Sequence, residues 1–333
     1  MDELLDTPLN QSRRLHDGTF HHMFDGGWMW IIPFDNFHRS ASTWCSIGLL
    51  LDPKKYPLDA SPSLRRGDEK IISAFPSIQK QLGNAKAVRP YVRTSHLQYK
   101  SIKATGHRHF ISNNVYGFID PLYSSGLINS FDLVFYGAKL LLDAFQRKQK
   151  GEAAAFDAKY FQPLDALLEE QWIQNDLMVS MAYSAMQSPK TWHAWTQFWL
   201  AQVPFHDLWI QRHCFLYFEQ GNKDILSHFI SEKRPGNNAP FFPQKQEIMR
   251  KFECILAQLN QNEISDSQAA EQLLNILREQ DWLPKQVYAW GSPTEHNVDF
   301  ANPIITQKLL EWGFKDSPSW LRETLFDFKL PTQ

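Results

Sequence analysis

The hydrophobic periodicity of the sequence changes once, near residue 126, and this change limits the folds that the chain can adopt. Before that point, short runs of aromatic and β-branched residues alternate with turn residues, which is typical of strands. After it, apolar residues recur at helical spacing over long segments. We therefore predict an α+β protein with a sheet-rich region at residues 1–125, including one helical insert, and a helical region at residues 126–333.

The first region is predicted to contain an antiparallel meander. The runs Thr19–Phe24 and Trp28–Phe34 are separated by Asp25-Gly26-Gly27, which is a strong hairpin signal, and Thr43–Leu51 supplies a third strand. Later in this region, three further segments are strand candidates: Ala87–Val92, His96–Tyr99 and His107–Ile111.

The second region is predicted to begin with a buried helix. Leu127–Phe145 is apolar on nearly all sides, a pattern of helices that are covered all round. Further on, Trp192, Trp195 and Trp199 recur at helical spacing, which we interpret as helix packing. Ser265 and Gln268 form a capping box ahead of another helix.

Composition excludes several classes of protein. The chain is 43% hydrophobic and 21% charged, which is typical of a globular protein, and its net charge of −2 carries no basic block for nucleic acid. No apolar run is long enough to span a membrane, and no secretory leader pattern is present. The three cysteines show no CxxC spacing, so we expect a reducing, cytoplasmic location and no disulfide framework.

One expected nucleotide-binding signal is absent from the sequence. Doubly wound flavoproteins carry GxGxxG between a strand and a helix, where the glycines let the backbone approach a pyrophosphate. The sequence contains neither GxGxxG nor GxxxxGK[ST]. The usual phosphate site of such enzymes is therefore not expected within these 333 residues.

The run Gly27–Phe34 contains the pattern WxWxIP, with Trp28, Trp30 and Pro33 at its key positions. This pattern resembles the signature of flavin-dependent halogenases, in which the aromatic rings wall the passage between flavin and substrate. Residues two apart on a strand face the same side, so Trp28 and Trp30 are expected to form one aromatic surface. The alternative is a pair of core tryptophans under a sheet.

A second segment, Ser112–Gly126, resembles the part of these halogenases that lies along the flavin and then enters a helix. The resemblance implies that Ser125 and Gly126 present their amides to the flavin and a halide ion, as free N–H groups at a positive helix end can. The alternative is an ordinary turn into a core helix. The resemblance further assigns cofactor contacts to these residues: Asn114, Gly117, Phe118, Asp120 and Pro121.

The segment departs from the family pattern at five positions. Asn113-Asn114 replaces a Gly-Asp pair whose carboxylate accepts a bond from the flavin ribityl chain, and an amide oxygen can still accept. Val115 and Tyr116 replace small residues, so we expect a ring that crowds the cofactor. Tyr123 stands where tryptophan halogenases carry a glutamate, which points to a phenol- or pyrrole-type substrate.

The resemblance implies an antiparallel substrate-side sheet of the p-hydroxybenzoate hydroxylase-like flavoprotein fold, followed by helices. It implies FAD as cofactor, an electron-rich aromatic substrate, a flavin reductase, and halogenase or monooxygenase-like chemistry. The family's catalytic lysine lies in the GxGxxG half, so no catalytic residue is assigned here. The last 130 or so residues are placed by helical pattern alone.

Three origins of such a chain remain open: a truncated gene product, one subunit of a split enzyme that pairs with a separate FAD-binding subunit, or a decayed relative. We favour truncation, and we expect an exposed sheet edge and an apolar face where an N-terminal nucleotide-binding domain would pack. The alternative function is a non-catalytic binding module that holds an aromatic ligand or a partner subunit against Trp28 and Trp30.

Other polar clusters are interpreted as structural. His107 and His109 lie on one side of a predicted strand, but no third ligand type joins them, so no metal site is predicted. His206, Asp207 and His213 are interpreted as a solvated helix face. Because the corresponding helices cover the substrate in the halogenases, Trp195 is kept as a candidate for the substrate pocket.

Overall fold

A computed structural model describes residues 18–35, 39–57, 73–82, 85–225, 242–296 and 302–327. Its regular structure begins with a three-stranded antiparallel sheet and continues with long helices. The prediction of an α+β protein is confirmed.

The sheet is the predicted meander. Strands β1 (Phe20–Phe24), β2 (Gly27–Pro33) and β3 (Cys45–Leu51) pair antiparallel in sequence order. Phe24 pairs with Gly27, so Asp25 and Gly26 form the hairpin turn. Gly26 has φ +80°, a left-handed conformation that glycine adopts without steric cost.

The two faces of β2 pack against different parts of the protein, because successive side chains on a strand point in opposite directions. Met29 and Ile31 pack with Ile78 of helix α1 (Pro76–Leu82). Trp28 and Trp30 point to the opposite side, into the hydrophobic cluster of the helical region.

After the helical insert, the described part of the chain forms only short strands: β4 (Tyr99–Lys100), β5 (Thr105–Gly106), β6 (His109–Phe110) and β7 (Gly117–Phe118). A four-residue helix, α2 (Asn113–Tyr116), precedes β7.

Two of the later strand predictions are right only in part, and one is wrong. His96–Tyr99 contributes Tyr99 alone and His107–Ile111 contributes two residues. Ala87–Val92 forms no strand and is exposed throughout. Pro90 has no N–H to donate to a neighbouring strand. In addition, β-branched side chains add little strand stability to an exposed segment that has no partner strand.

Helices dominate from residue 126 onward. They are α3 (Gly126–Gln149), α4 (Gln162–Ala185), α5 (Pro189–Phe218), α6 (Phe242–Asn260), α7 (Asp266–Arg278), α8 (Pro303–Lys315) and α9 (Ser319–Leu321), which a π-helical turn extends over Arg322–Phe326. The capping box of Ser265 and Gln268 at the start of α7 is confirmed.

The largest hydrophobic cluster joins the sheet to these helices. Trp28, Leu50 and Leu122 belong to it, together with buried side chains from α4 to α9. A second cluster lies between α3 and α4. The division at residue 125 stays a prediction, and the shared cluster shows that the sheet is packed directly on the helices.

The prediction that α3 is buried on all sides is wrong. Leu133, Tyr136, Leu140 and Ala144 are buried in the second cluster, but seven other large apolar side chains of α3 are between 54 and 68% exposed. An all-round apolar pattern shows that a helix can be covered on every face, and only the tertiary structure decides which face is covered.

Among the residues that the structure describes, no helix combines the length and apolar character needed to cross a bilayer.

Gly48 of β3 lies against the Trp30 ring, and an added Cβ would stand 1.7 Å from Trp30 Cζ2. We expect Gly48→Ala to displace the indole and to lower the free energy of unfolding by about 1–3 kcal/mol. Urea denaturation measures this, and Gly18→Ala is the control because a Cβ there meets no atom within 4 Å. Equal stability of the two variants would contradict the prediction.

Candidate functional site

The WxWxIP strand places its two tryptophans side by side but not in one plane. The ring centroids of Trp28 and Trp30 are 5.5 Å apart, with 49° between the ring planes. Trp28 is 2% exposed, whereas Trp30 is half-buried and donates from Nε1 to Ser46 Oγ at 3.4 Å. Pro33 pairs with Cys45 at the far end of β2. Trp30 is therefore the ring of the pair that keeps part of its surface exposed.

Asp120 connects the WxWxIP strand to the second motif. Its carboxylate accepts from Trp28 Nε1 at 3.1 and 3.2 Å, and Oδ2 also accepts from the Tyr183 hydroxyl of α4 at 2.6 Å. The same side chain caps the 3-10 turn Pro121–Tyr123 by accepting from the Leu122 amide at 3.0 Å. Three segments that are distant in sequence thus meet at one buried carboxylate.

Burial raises the pKa of Asp120 above its ordinary value, and the bonds from Tyr183, Trp28 and the Leu122 amide lower it in part. At a given pH the folded protein therefore holds more of the protonated form of Asp120 than the unfolded chain does. This contribution to stability is complete at acid pH and is lost as the pH rises through the folded pKa. Burial and the neighbouring carboxylate raise the pKa of the Tyr183 phenol, so this group acts as a neutral donor.

Gly117 and Phe118, within the second motif, form strand β7, which pairs with β4. A Cβ on Gly117 would lie 2.7 Å from Trp172 Cδ1, so this position leaves no room for a side chain unless Trp172 moves. Phe118 stacks on Tyr99 with ring centroids 6.4 Å apart. This packing fixes the backbone direction into Asp120.

The start of α3 is open. Ser125 is the N-cap residue of α3, and its side chain makes no capping bond. An added Cβ on the exposed Gly126 would meet only Asn114 Oδ1, at 3.9 Å. The fold therefore brings Asn114 next to the helix end, where the first N–H groups have no partner within the helix and the helix dipole is positive. Such an end suits an anion or a carbonyl oxygen.

The Tyr116 ring does not project from the open surface at the start of α3. It is 2% exposed, belongs to the cluster between α3 and α4, and donates to Glu169 Oε2 at 2.5 Å. The expectation that its ring crowds a cofactor is wrong, because the single turn of α2 directs the ring into the core. Val115 is the exposed one of the pair.

Tyr123, within the second motif, contacts α5. Trp195 Nε1 donates to the Tyr123 hydroxyl at 2.5 Å, and the Tyr123 and Trp199 rings are 5.7 Å apart. Burial raises the pKa of the Tyr123 phenol. Trp195 itself has no exposed surface, which places it in helix packing, as the tryptophan spacing predicts.

The remaining polar candidates do not converge on one another. His107 is exposed and lies 3.8 Å from Asp157, and within the described residues no three metal-binding side chains cluster. On α5, Asp207 is exposed and His213 is buried, so the interpretation of a uniformly solvated face is wrong. Burial first, and then the charge of Lys245, lowers the pKa of His206 to about 4.

Sequence reasoning missed three residues that hold these motifs in place: Gln98, which accepts from the Asp120 amide at 3.1 Å, Trp172 and Tyr183. No local pattern marks them. Tyr183 and Asp120 are 63 positions apart, and a tyrosine on an apolar helix is usually a packing residue.

No family model matches the chain. Among curated proteins, tetracycline 7-halogenase from Kitasatospora aureofaciens is 28% identical over 331 residues, which cover 98% of this chain and 57% of that protein. Monodechloroaminopyrrolnitrin halogenase PrnC from Pseudomonas fluorescens is 36% identical over 189 residues, or 57% of this chain and 32% of PrnC. This chain thus spans about half of the first relative and a third of the second.

Solved structures of halogenase PltM have a similar fold. One matches with a TM-score of 0.74 at 23% identity, covering 84% of this chain and 55% of PltM. A second, with the same score and coverage, holds PltM in complex with phloroglucinol and FAD.

The Tyr183 bond to Asp120 gives a prediction with a defined pH dependence. Tyr183→Phe removes a donor to the Asp120 carboxylate, so we expect a loss of about 2 kcal/mol in the free energy of unfolding at a pH above the folded pKa of Asp120. The loss should shrink to about 1 kcal/mol toward pH 4, as Asp120 takes up a proton and the bond becomes a neutral one.

The matched control is Tyr288→Phe. In the wild type, the Tyr288 hydroxyl donates at the same 2.6 Å to the backbone carbonyl oxygen of Glu295, and a backbone carbonyl does not titrate. Urea unfolding of both variants at pH 7 and pH 4 makes the comparison. A Tyr183→Phe penalty that is constant with pH would show that Asp120 is not the titrating partner.

Proposed function

Since the chain is a homologue of flavin-dependent halogenases over most of its length, we propose that it forms the substrate-facing sheet and the flavin-side helix of such an enzyme. The substrate would be an electron-rich aromatic compound, and a reductase would supply the reduced flavin. The finer fold, a p-hydroxybenzoate hydroxylase-like substrate sheet, belongs to the same proposal.

The observation that supports this function most is the cluster at Asp120. The two motifs that resemble the halogenases are 92 positions apart at Trp28 and Asp120, yet they share one buried hydrogen bond. A chance match of two short patterns would not be expected to bring them into contact. Their meeting supports a single site with Trp30 on one side and the start of α3 on the other.

The residues present fit the flavin end of FAD. Gly126 faces open space at the start of α3, and Asn114 lies beside it with an amide oxygen that can accept a bond. When bound, FAD supplies the redox chemistry that oxidises a halide. The chain's own contribution would be to hold the ring edge with the Ser125 and Gly126 amides and to offer the same positive helix end to an anion.

The remaining assigned residues act as supports in this proposal. Gly117 and Phe118 set the direction of the backbone through their pairing with β4, and Asp120 and Pro121 fix the turn before α3. Trp28, buried against Asp120, would hold Trp30 and Pro33 in position. Trp30 would be the ring that a flat aromatic substrate meets.

The second candidate is a binding module on the same scaffold, without catalysis. The sequence carries no GxGxxG and has Asn114 in place of an aspartate, and both features favour this candidate. In a module, an aromatic ligand or a partner subunit would bind against Trp30, and the start of α3 would have no flavin to hold.

Titration of the purified chain with FAD, followed by flavin fluorescence, distinguishes the two candidates. We expect weak binding by the wild type, with Kd above about 100 µM, because no pyrophosphate site is present in the sequence. Asn114→Asp should tighten binding by about 3–10-fold by restoring the carboxylate acceptor. The control is Asn113→Asp, one position away on α2, which should leave Kd unchanged.

Equal affinities of the wild type and both variants would favour the binding module. We also expect no halogenated product from the isolated chain with reduced FAD, halide, and a phenol or pyrrole. Clear halogenation by the chain alone would show that the GxGxxG half is dispensable.

A further inference from the structure

The two histidines of β1 point to opposite faces of the sheet, because successive side chains of a strand alternate. His22 is buried on the side of α1, where its Nε2 lies 2.5 Å from Gln81 Oε1. His21 is half-buried on the other side, and within the described part of the chain neither of its ring nitrogens has a hydrogen-bond partner. One histidine of the pair is thus satisfied by the fold, and the other is not.

His21 lies beside both tryptophans of the WxWxIP strand. It pairs with Trp30 in the antiparallel register, and directly opposed residues present their side chains on the same face. Its ring also meets the Trp28 ring edge-on, with 4.9 Å between the ring centroids and 66° between the ring planes. Trp30 is half-buried like His21, whereas Trp28 is fully buried. An imidazole and an indole that both keep accessible surface therefore lie at opposed positions of one face.

The imidazole of His21 suits a neutral polar ligand. Burial lowers its pKa below the ordinary value of 6.5, so the ring is neutral at pH 7. A neutral imidazole carries one N–H donor and one nitrogen that accepts a hydrogen bond. Pockets for small molecules are mostly apolar and fix the orientation of the ligand with a few polar groups of this kind.

We propose that His21 accepts a hydrogen bond from a hydroxyl or N–H group at the edge of the aromatic substrate, whose ring lies against Trp30. This assignment rests on the proposed function for the presence of an aromatic substrate at Trp30. It adds the chemical class, which is an aromatic ring that carries its own hydrogen-bond donor. A ring whose hydroxyl donates a hydrogen bond gains electron density, and this favours attack by an electrophilic halogen.

The alternative role of His21 is packing alone, as an aromatic ring set edge-on against Trp28. Two substitutions separate the roles. His21→Phe keeps a ring against Trp28 and removes both nitrogens. His21→Gln loses the ring but keeps an acceptor, the amide oxygen.

Resorcinol and 1,3-dimethoxybenzene form a matched pair of probes, because they share a ring with two oxygens and only resorcinol has donors. The full 333-residue chain, labelled with ¹⁵N and without added flavin, is titrated with each. The Trp30 indole N–H signal, identified by its loss in Trp30→Phe, reports both Kd values. The wild type should bind resorcinol about 3–10-fold more tightly, as expected for one hydrogen bond.

His21→Phe should lose this preference, so that the ratio of the two Kd values falls by the same 3–10-fold. His21→Gln should retain part of the preference through its amide oxygen. The matched control is His109→Phe, the same substitution at an exposed histidine of β6, and its ratio should equal that of the wild type. Circular dichroism and melting temperature confirm that each variant is folded.

A second measurement uses the wild type alone and does not depend on the folding of a variant. The unprotonated ring nitrogen of His21 should change its ¹⁵N chemical shift when resorcinol binds, and 1,3-dimethoxybenzene should leave it unchanged. A His21 nitrogen that does not respond to bound resorcinol would overturn the assignment, as would a folded His21→Phe with the wild-type ratio.

The same titrations distinguish this assignment from the proposed function. If both probes bind at Trp30 of the wild type with equal affinity, His21 does not contact the donor, and the aromatic site of the proposed function stands. If neither probe shifts the Trp30 signal, both the assignment and that aromatic site are wrong.

Discussion

The buried carboxylate of Asp120 holds the described site together. It accepts hydrogen bonds from the strand that carries Trp28, from the turn that leads into α3, and from Tyr183 on α4. Burial of a carboxylate is costly unless donors surround it, and four bonds from three donors satisfy it here. The relative placement of sheet, turn and helix thus depends on one residue that titrates.

Glycines make the other close contacts possible. Gly48 lets the Trp30 indole lie flat against the neighbouring strand, and Gly117 lets Trp172 approach the backbone of the second motif. In both places a large ring occupies the space that a side chain would fill. The aromatic-rich composition, 14% of the chain, is therefore used mainly for packing, and Trp30 is exceptional among the motif tryptophans in keeping part of its surface accessible.

Helix α3 serves both the core and the surface. One face is buried against α4, its N-terminus lies at the candidate flavin position, and its opposite face is apolar and exposed. A helix with apolar residues on all sides is stable in water only when most of them are covered.

The sequence by itself determined the features that depend on local chemistry. The Asp-Gly hairpin, the three-stranded meander, the capping box at α7 and the two motifs were all predictable, because turn conformation, strand alternation and capping involve residues within a few positions of each other. The tertiary structure alone decided which side chains meet over long separations. Tyr183 reaches Asp120, Tyr116 turns into the core, and only one face of α3 is covered. Periodicity shows which residues are apolar, but burial is fixed by the three-dimensional neighbours, and those are set by the packing of the whole chain.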